Sequence, residues 1–328
     1  MTRRTVGPIV LVIVAVVVNV LFVPRFGTRI NIGYLLLQSV PLLLTAVGQT
    51  LVIITAGIDL SVGASVTLAG VIASLLMEPA HGGVVVALVA CLAAGVAVGS
   101  VNALLIVRFH LPPFLSTLGM TFFLAGLNLY LRPVPGGFIT ESFQRVASAR
   151  WGYVPPTVVA TLLVLAAIAI YVDRSRFGLR LRAVGWDERS ARLAGVASET
   201  VKVPAYVGAA LLATVAGLFI ASKTGSGDPL VGNSYQLASI SAAVLGGVDL
   251  FGGRGSIWGA MAGAFVLAMI GNVLNLLGVV AYWQWILQGL ILLAAVALYA
   301  VEFGKHGARK LGSLKWETGA VQGSQPGS

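Results

Sequence analysis

The chain has 328 residues, of which 58% are hydrophobic and 10% charged, against about 25% charged in a soluble domain. That balance excludes a soluble globular protein, and apolar runs of about 18 residues or more, enough to cross hydrocarbon, recur along the chain and leave no length for a sizeable soluble domain. The net charge of +10 would point to nucleic acid in a soluble protein, but here the basic residues fall between apolar runs and act as topology signals, so no nucleic acid is expected.

The N-terminal stretch MTRRTVGPIVLVIVAVVVNVLFVP joins an Arg pair to an apolar run longer than a signal-peptide core, with no small-residue cleavage site after it. It is expected to stay as a first helix. Ten spans are expected in all, at about 7–23, 32–56, 60–77, 83–107, 114–131, 155–172, 204–222, 236–250, 256–277 and 282–302, giving an all-α polytopic membrane protein. With the N-terminus inside, 15 of the 21 basic residues face the cytoplasm: Arg3, Arg4, Arg108, seven from Arg174 to Lys202, Arg254, Lys305, Arg309, Lys310 and Lys315. The other six, Arg25, Arg29, Arg132, Arg145, Arg150 and Lys223, fall outside. The positive-inside rule therefore places both termini in the cytoplasm. Residues 1–304 read as one membrane domain, with a Pro- and Gly-rich exterior loop at about 132–154 and a charged interior loop at about 173–203. Residues 305–328 lose hydrophobic periodicity, gain Gly, Ser and Gln, and read as a disordered tail.

Asp59, in TAGIDLSVGASVTL, is the first acid after a long apolar stretch. An uncompensated carboxylate at bilayer depth costs roughly 3 kcal/mol on insertion scales, so the residue sits at an edge or has a task. It follows one apolar run and precedes another, the place of a helix N-cap whose carboxylate accepts orphan backbone N–H groups; a structural role is favoured over transport chemistry. A second copy of the pattern, GVDLFGG, pairs Gly247, Asp249, Leu250 and Gly253 with Gly57, Asp59, Leu60 and Gly63, while Ser61 and Gly252 complete the two blocks. An internal repeat is common in transporters, and here both copies are expected at interior ends, six spans apart. Gly255, Gly259 and Gly263 fall four apart and are expected along one helix face at a close helix approach.

Enzyme chemistry is not assembled by these residues. His81, His110 and His306 fall in loops without a second ligand at helical spacing, and GLFIASKT, at 217–224, lacks the second glycine of a phosphate loop. All eleven acids lie in loops or near span ends, which counts against a proton relay. Cys91 is the only cysteine and reads as a small buried hydrophobe. Gln49, Thr50, Asn102, Asn128, Asn272, Asn275 and Gln288 either line a path for a hydroxylated solute or bond a neighbouring helix. Trp283 and Trp285 read as interfacial anchors.

In the interior loop, acids and bases recur at helical spacing, and Asp187 to Ala194 is expected to form a short surface helix ending at Gly195. Four blocks in order, GIDLSVG at 57–63, VNALLIVRFHLPPFLSTLGM at 101–120, RFGLRLRAVGWDERSARLAGV at 176–196 and LASISAAVLGGVDLFGGRGSIWGAMAGA at 237–264, resemble the permease subunits of ribose-type ABC importers. That group also serves xylose, arabinose and galactose, with branched-chain amino-acid permeases as more distant kin. The resemblance covers about residues 30–302 and departs from the group's habit at Gln236, commonly Glu, and at Asp187, often Asn. It implies a second permease copy or paralogue, a cytoplasmic ATPase that binds the interior loop, an extracytoplasmic sugar-binding protein, and a place in the plasma (inner) membrane. The ATPase-coupling residues would be Gly185, Asp187, Glu188, Ala191 and Gly195. ATP would be used by the partner, with no cofactor on this chain. The rival readings are a permease for branched-chain amino acids or another small polar solute, an ion-coupled secondary transporter and a membrane-embedded enzyme.

Overall fold

The structure, a computed structural model, describes residues 3–78, 83–149, 154–280, 282–284, 286–287, 289–290 and 293. Twelve helices are formed among the described residues: α1 Arg3–Phe22, α2 Arg29–Ile54, α3 Val62–Leu76, α4 Gly83–Val107, α5 Pro113–Leu131, α6 Glu141–Ser148, α7 Pro156–Arg174, α8 Arg176–Trp186, α9 Glu188–Leu193, α10 Glu199–Thr224, α11 Asn233–Leu245 and α12 Ile257–Leu276. Six of them, α2, α4, α5, α7, α10 and α12, are long and apolar enough to cross a membrane. The expected spans at 7–23, 60–77 and 236–250 correspond to α1, α3 and α11, of which α3 and α11 have only 15 and 13 residues. Most of the tenth, 282–302, lies outside the described residues, as do His81, His306, Trp285, Gln288 and the tail.

Burial sorts the long helices. In α2 the most apolar stretch is 94% buried, whereas the corresponding stretches of α4, α5 and α7 are 22–28% buried. A helix that is apolar all round and covered all round is the core of its bundle. Around α2 stand α10, α11 and α12, and the approaches are made by small residues. A Cβ on Gly99 of α4 would lie 2.6 Å from the Val207 Cα of α10, and one on Gly217 of α10 would collide with the Val66 carbonyl of α3. Lipid is as apolar as leucine, so close backbone packing of this kind replaces the hydrophobic drive between spans. Gly263 serves α12 in the same way against Ala242 of α11, and Gly246, just past α11, leaves room for the Gly259 carbonyl of α12. Gly255 does not join them: α12 begins at Ile257, and Gly255 stands before it at a φ of 155°.

Hydrogen bonds sort the loops into two ends. One gathers the α2–α3 turn, the start of α5 and the turn after α11, through Thr117 Oγ1 to the Ile58 carbonyl (3.1 Å) and Gly253 N to the Ile54 carbonyl (2.9 Å). The other gathers Ser74, residues 136–143 and the end of α10, through Phe138 N to the Ser74 carbonyl (3.1 Å) and Ser222 Oγ to the Phe143 carbonyl (2.6 Å). The first is the end that the charge bias assigns to the cytoplasm, hereafter the inner end; the second is the outer end.

Between α10 and α11 the chain is anchored on α3 at its buried glycines, Gly227 and Gly232. Gly227 pairs with Gly136 in a two-way bridge (2.8 and 2.9 Å) and lies on Gly70 and Ser74 of α3. Five residues later Gly232 lies on Gly63, its N–H donated to Thr67 Oγ1 at 3.0 Å. The segment thus runs along α3 for about two turns, and irregular backbone is tolerated at such depth only where protein or a cavity covers it. The sequence reading missed it, because its Gly and Pro content is that of any loop.

Replacing Gly217 by Val forces a branched side chain into the Val66 carbonyl and is expected to cost about 1–3 kcal/mol or more. Gly126→Val on α5, where nothing lies within 4 Å, is the control. Thermal unfolding in detergent should show a lowered midpoint for the first variant and none for the second.

Candidate functional site

α2 ends by a glycine-type closure without a glycine at its key position. Ala56 takes a left-handed φ of 61°, and Gly57 N bonds back to the Val52 carbonyl at 3.2 Å. The chain then turns through Asp59, which is 1% exposed. Its Oδ1 accepts from Ser61 N (2.8 Å) and Ser61 Oγ (2.6 Å). The carboxylate therefore lies two residues upstream of the expected cap position: Ser61 precedes α3 directly and makes no side-chain cap bond. Asp59 closes its own turn instead, since its oxygen reaches the N–H two residues on.

Neighbouring helices clamp this turn. With its amide oriented to suit both groups, Gln49 of α2 donates to the Asp59 carbonyl (3.0 Å) and accepts from Asp59 N (3.2 Å). Asn102 of α4 donates to Ser61 Oγ at 2.9 Å. The Tyr206 hydroxyl of α10 lies where a Cβ on Gly57 would stand. Other polar residues marked as possible lining also bond within the bundle. Thr50 donates to the Ala46 carbonyl (2.7 Å), Asn128 to the Ala64 carbonyl (3.1 Å), and Asn272 exchanges bonds with Asn31 (2.9 and 3.0 Å). Asn275 is exposed and accepts from Gln284 at 2.7 Å. Cys91 is 1% exposed, its thiol on the Ala69 carbonyl at 3.3 Å.

The second copy of the pattern makes the same kind of closure one position later relative to its aspartate. Gly247 takes φ 81°, Val248 N bonds back to the Ala243 carbonyl (3.0 Å), and Asp249 Oδ1 accepts from Phe251 N (2.9 Å), again two residues on. The two turns meet: a Cβ on Gly252 would stand 2.7 Å from the Ala56 Cα.

The interior-loop segment folds as two helices rather than one. Ser175 Oγ accepts from Gly178 N at the start of α8 (3.2 Å), and Asp187 Oδ1 accepts from Ser190 N at the start of α9 (2.8 Å). Gly195, at φ 81°, follows α9 where the sequence reading put the stop. The reading missed α8, whose signal is Ser175 before an Arg- and Leu-patterned run. Glu188 joins α9 to the start of α10 through Lys202 (2.6 Å) and pairs with Arg192 (3.0 Å), while Ala191 faces inward, 6% exposed. Gly185 is wedged against the Ile54 carbonyl and Gly253 N, where a Cβ has no room.

The backbone N–H of Ser190 bonds the Asp187 carboxylate and, against slight desolvation, holds it below its ordinary pKa. Partial burial pushes Glu188 up, but hydrogen bonds from Lys202 and Ser198 and the charges of Lys202 and Arg192 outweigh it and leave the group lowered. A carboxylate lowered on folding contributes stability above its unfolded pKa and loses it as pH falls through the folded value. Protection factors for amide exchange across 187–195, corrected for the intrinsic pH dependence of exchange, should therefore be high at neutral pH and fall on acidification through these lowered values. At the first turn, Asp59→Ala leaves two buried donors of Ser61 unmet and should cost about 1–3 kcal/mol in thermal unfolding, while Asp59→Asn, which keeps an acceptor, should stay close to the parent.

Residues 31–296 match the family described as branched-chain amino acid transport system / permease component. The chain is 35% identical over 278 residues to the ribose import permease protein RbsC of Escherichia coli strain K12, covering 83% of this chain and 86% of that one. It is 32% identical to the galactose/methyl galactoside import permease protein MglC of Haemophilus influenzae (86% and 90% covered). It is also 32% identical to the fructose import permease protein FrcC of Rhizobium meliloti (88% and 83% covered). No solved structure matches the chain.

Proposed function

The chain belongs to the permease-component family of branched-chain amino acid transport systems, and from that premise we propose that it is the membrane-spanning subunit of an ABC importer for a monosaccharide. The observation that carries this is the near full-length similarity to permeases named for the import of ribose, galactose and fructose. A multi-pass protein of this kind sits in the inner membrane, with ten spans and both termini in the cytoplasm. The bundle forms the pathway together with a second permease copy or paralogue, and an extracytoplasmic binding protein delivers the sugar.

The coupling surface for the partner ATPase is the segment of Gly185, Asp187, Glu188, Ala191 and Gly195. Its support is mechanical: α9 is a capped, stapled helix, and its neighbour α8 ends on the last carbonyl of the most buried helix. An ATPase that moves α9 has a rigid handle on the core. A branched-chain amino acid is the second substrate class, favoured by the family's own description.

The purified chain alone should hydrolyse no ATP, and the co-purified permease–ATPase complex should do so. Vesicles holding that complex should accumulate the labelled sugar that its binding protein retains. ATP hydrolysis by the isolated chain, or uptake that follows an ion gradient without ATP, would overturn the reading.

A further inference from the structure

The second Asp turn carries a contact that the coupling segment alone does not explain. Trp186 is the last residue of α8, and Asp187 caps α9, so the indole stands at the joint between the two helices. Over its ring lies the Arg254 guanidinium, 4.2 Å from the centroid. Arg254 is fixed from behind, because its carbonyl accepts from Asp249 N at 3.0 Å. One residue earlier, Gly253 donates to the Ile54 carbonyl at 2.9 Å and, at φ 71°, leaves no room for a Cβ between itself and the Trp186 backbone. The joint is thus held on three sides: by the end of α2 through Ile54, by the second Asp turn through Gly253, and by a cation over its aromatic face.

We propose that Arg254 is a positioning residue for energy coupling: together with Gly253 it seats the α8–α9 joint on the C-terminus of α2, so that displacement of α9 by the ATPase reaches the core helix through the turn at 247–254. The inference rests on the importer reading above. α9 also reaches α10 through the Glu188–Lys202 ion pair (2.6 Å), a separate route that joins α9 to α10 and not to the end of α2. At the Trp186 junction, backbone packs directly on backbone, and the Gly253 that packs there is itself bonded to the end of α2.

The test uses the assembled permease–ATPase complex and reads ATP hydrolysis relative to the ATPase alone, next to co-purification and thermal midpoint. Arg254→Gln should assemble and melt like the parent while the permease-dependent stimulation falls about two- to fivefold, the scale of a cation–π contact on an exposed indole. Arg254→Lys, which keeps a cation over the ring, should recover most of it. Trp186→Ala should lower stimulation to a similar degree, and adding Arg254→Gln to it should lower it no further, because both remove one contact. Parental stimulation in Arg254→Gln, additive losses in the double variant, or loss of assembly that Arg254→Lys fails to restore would each overturn the proposal. A parent chain with no effect on the ATPase would refute the importer reading and this inference with it.

Discussion

A helix that stops inside protein leaves carbonyl groups that water does not reach, and the end of α2 is the place where this constraint governs most of the molecule. The Val52 carbonyl receives Gly57 N, that of Ile53 receives Ala56 N, and that of Ile54 receives Gly253 N from a turn almost two hundred residues away. Each donor fixes a different part of the chain. The first two set the path into Asp59, and the third brings the α11–α12 turn under α2. Gly185 then has to be a glycine, because the same carbonyl occupies the space where its side chain would stand. Satisfying one buried helix terminus thus aligns the two Asp turns and the interior segment.

The Asp turns divide labour in a way their shared pattern hides. Both aspartates accept the N–H two residues ahead, so both make the same local closure. Asp59 is enclosed by α2, α4 and α10 and locked by Gln49 and Asn102, whereas Asp249 is only partly covered. One turn is a fixed part of the core; the other sits at its rim, where a neighbour can push on it.

The legible parts of the fold are the local ones. Asp187 before a short charged run and Gly195 after it marked α9, because both signals act within four residues. The long apolar runs marked α2, α4, α5, α7, α10 and α12. What the sequence hid depends on partners far along the chain. Gln49 and Asn102 read equally as lining or glue until the Asp59 turn is seen between them. The segment after α10 read as a loop because nothing local tells that α3 covers it. Asp59 itself was misplaced by two residues, since a carboxylate closing its own turn and one capping the next helix follow the same apolar run.

Cys91 has a practical consequence for anyone who wants to watch this bundle move. The thiol is shielded between α4 and α3, so the natural chain already serves as a silent background for maleimide or spin-label chemistry. Reporter cysteines on the exposed faces of α8 and α9 can be introduced singly and labelled without first removing the native one.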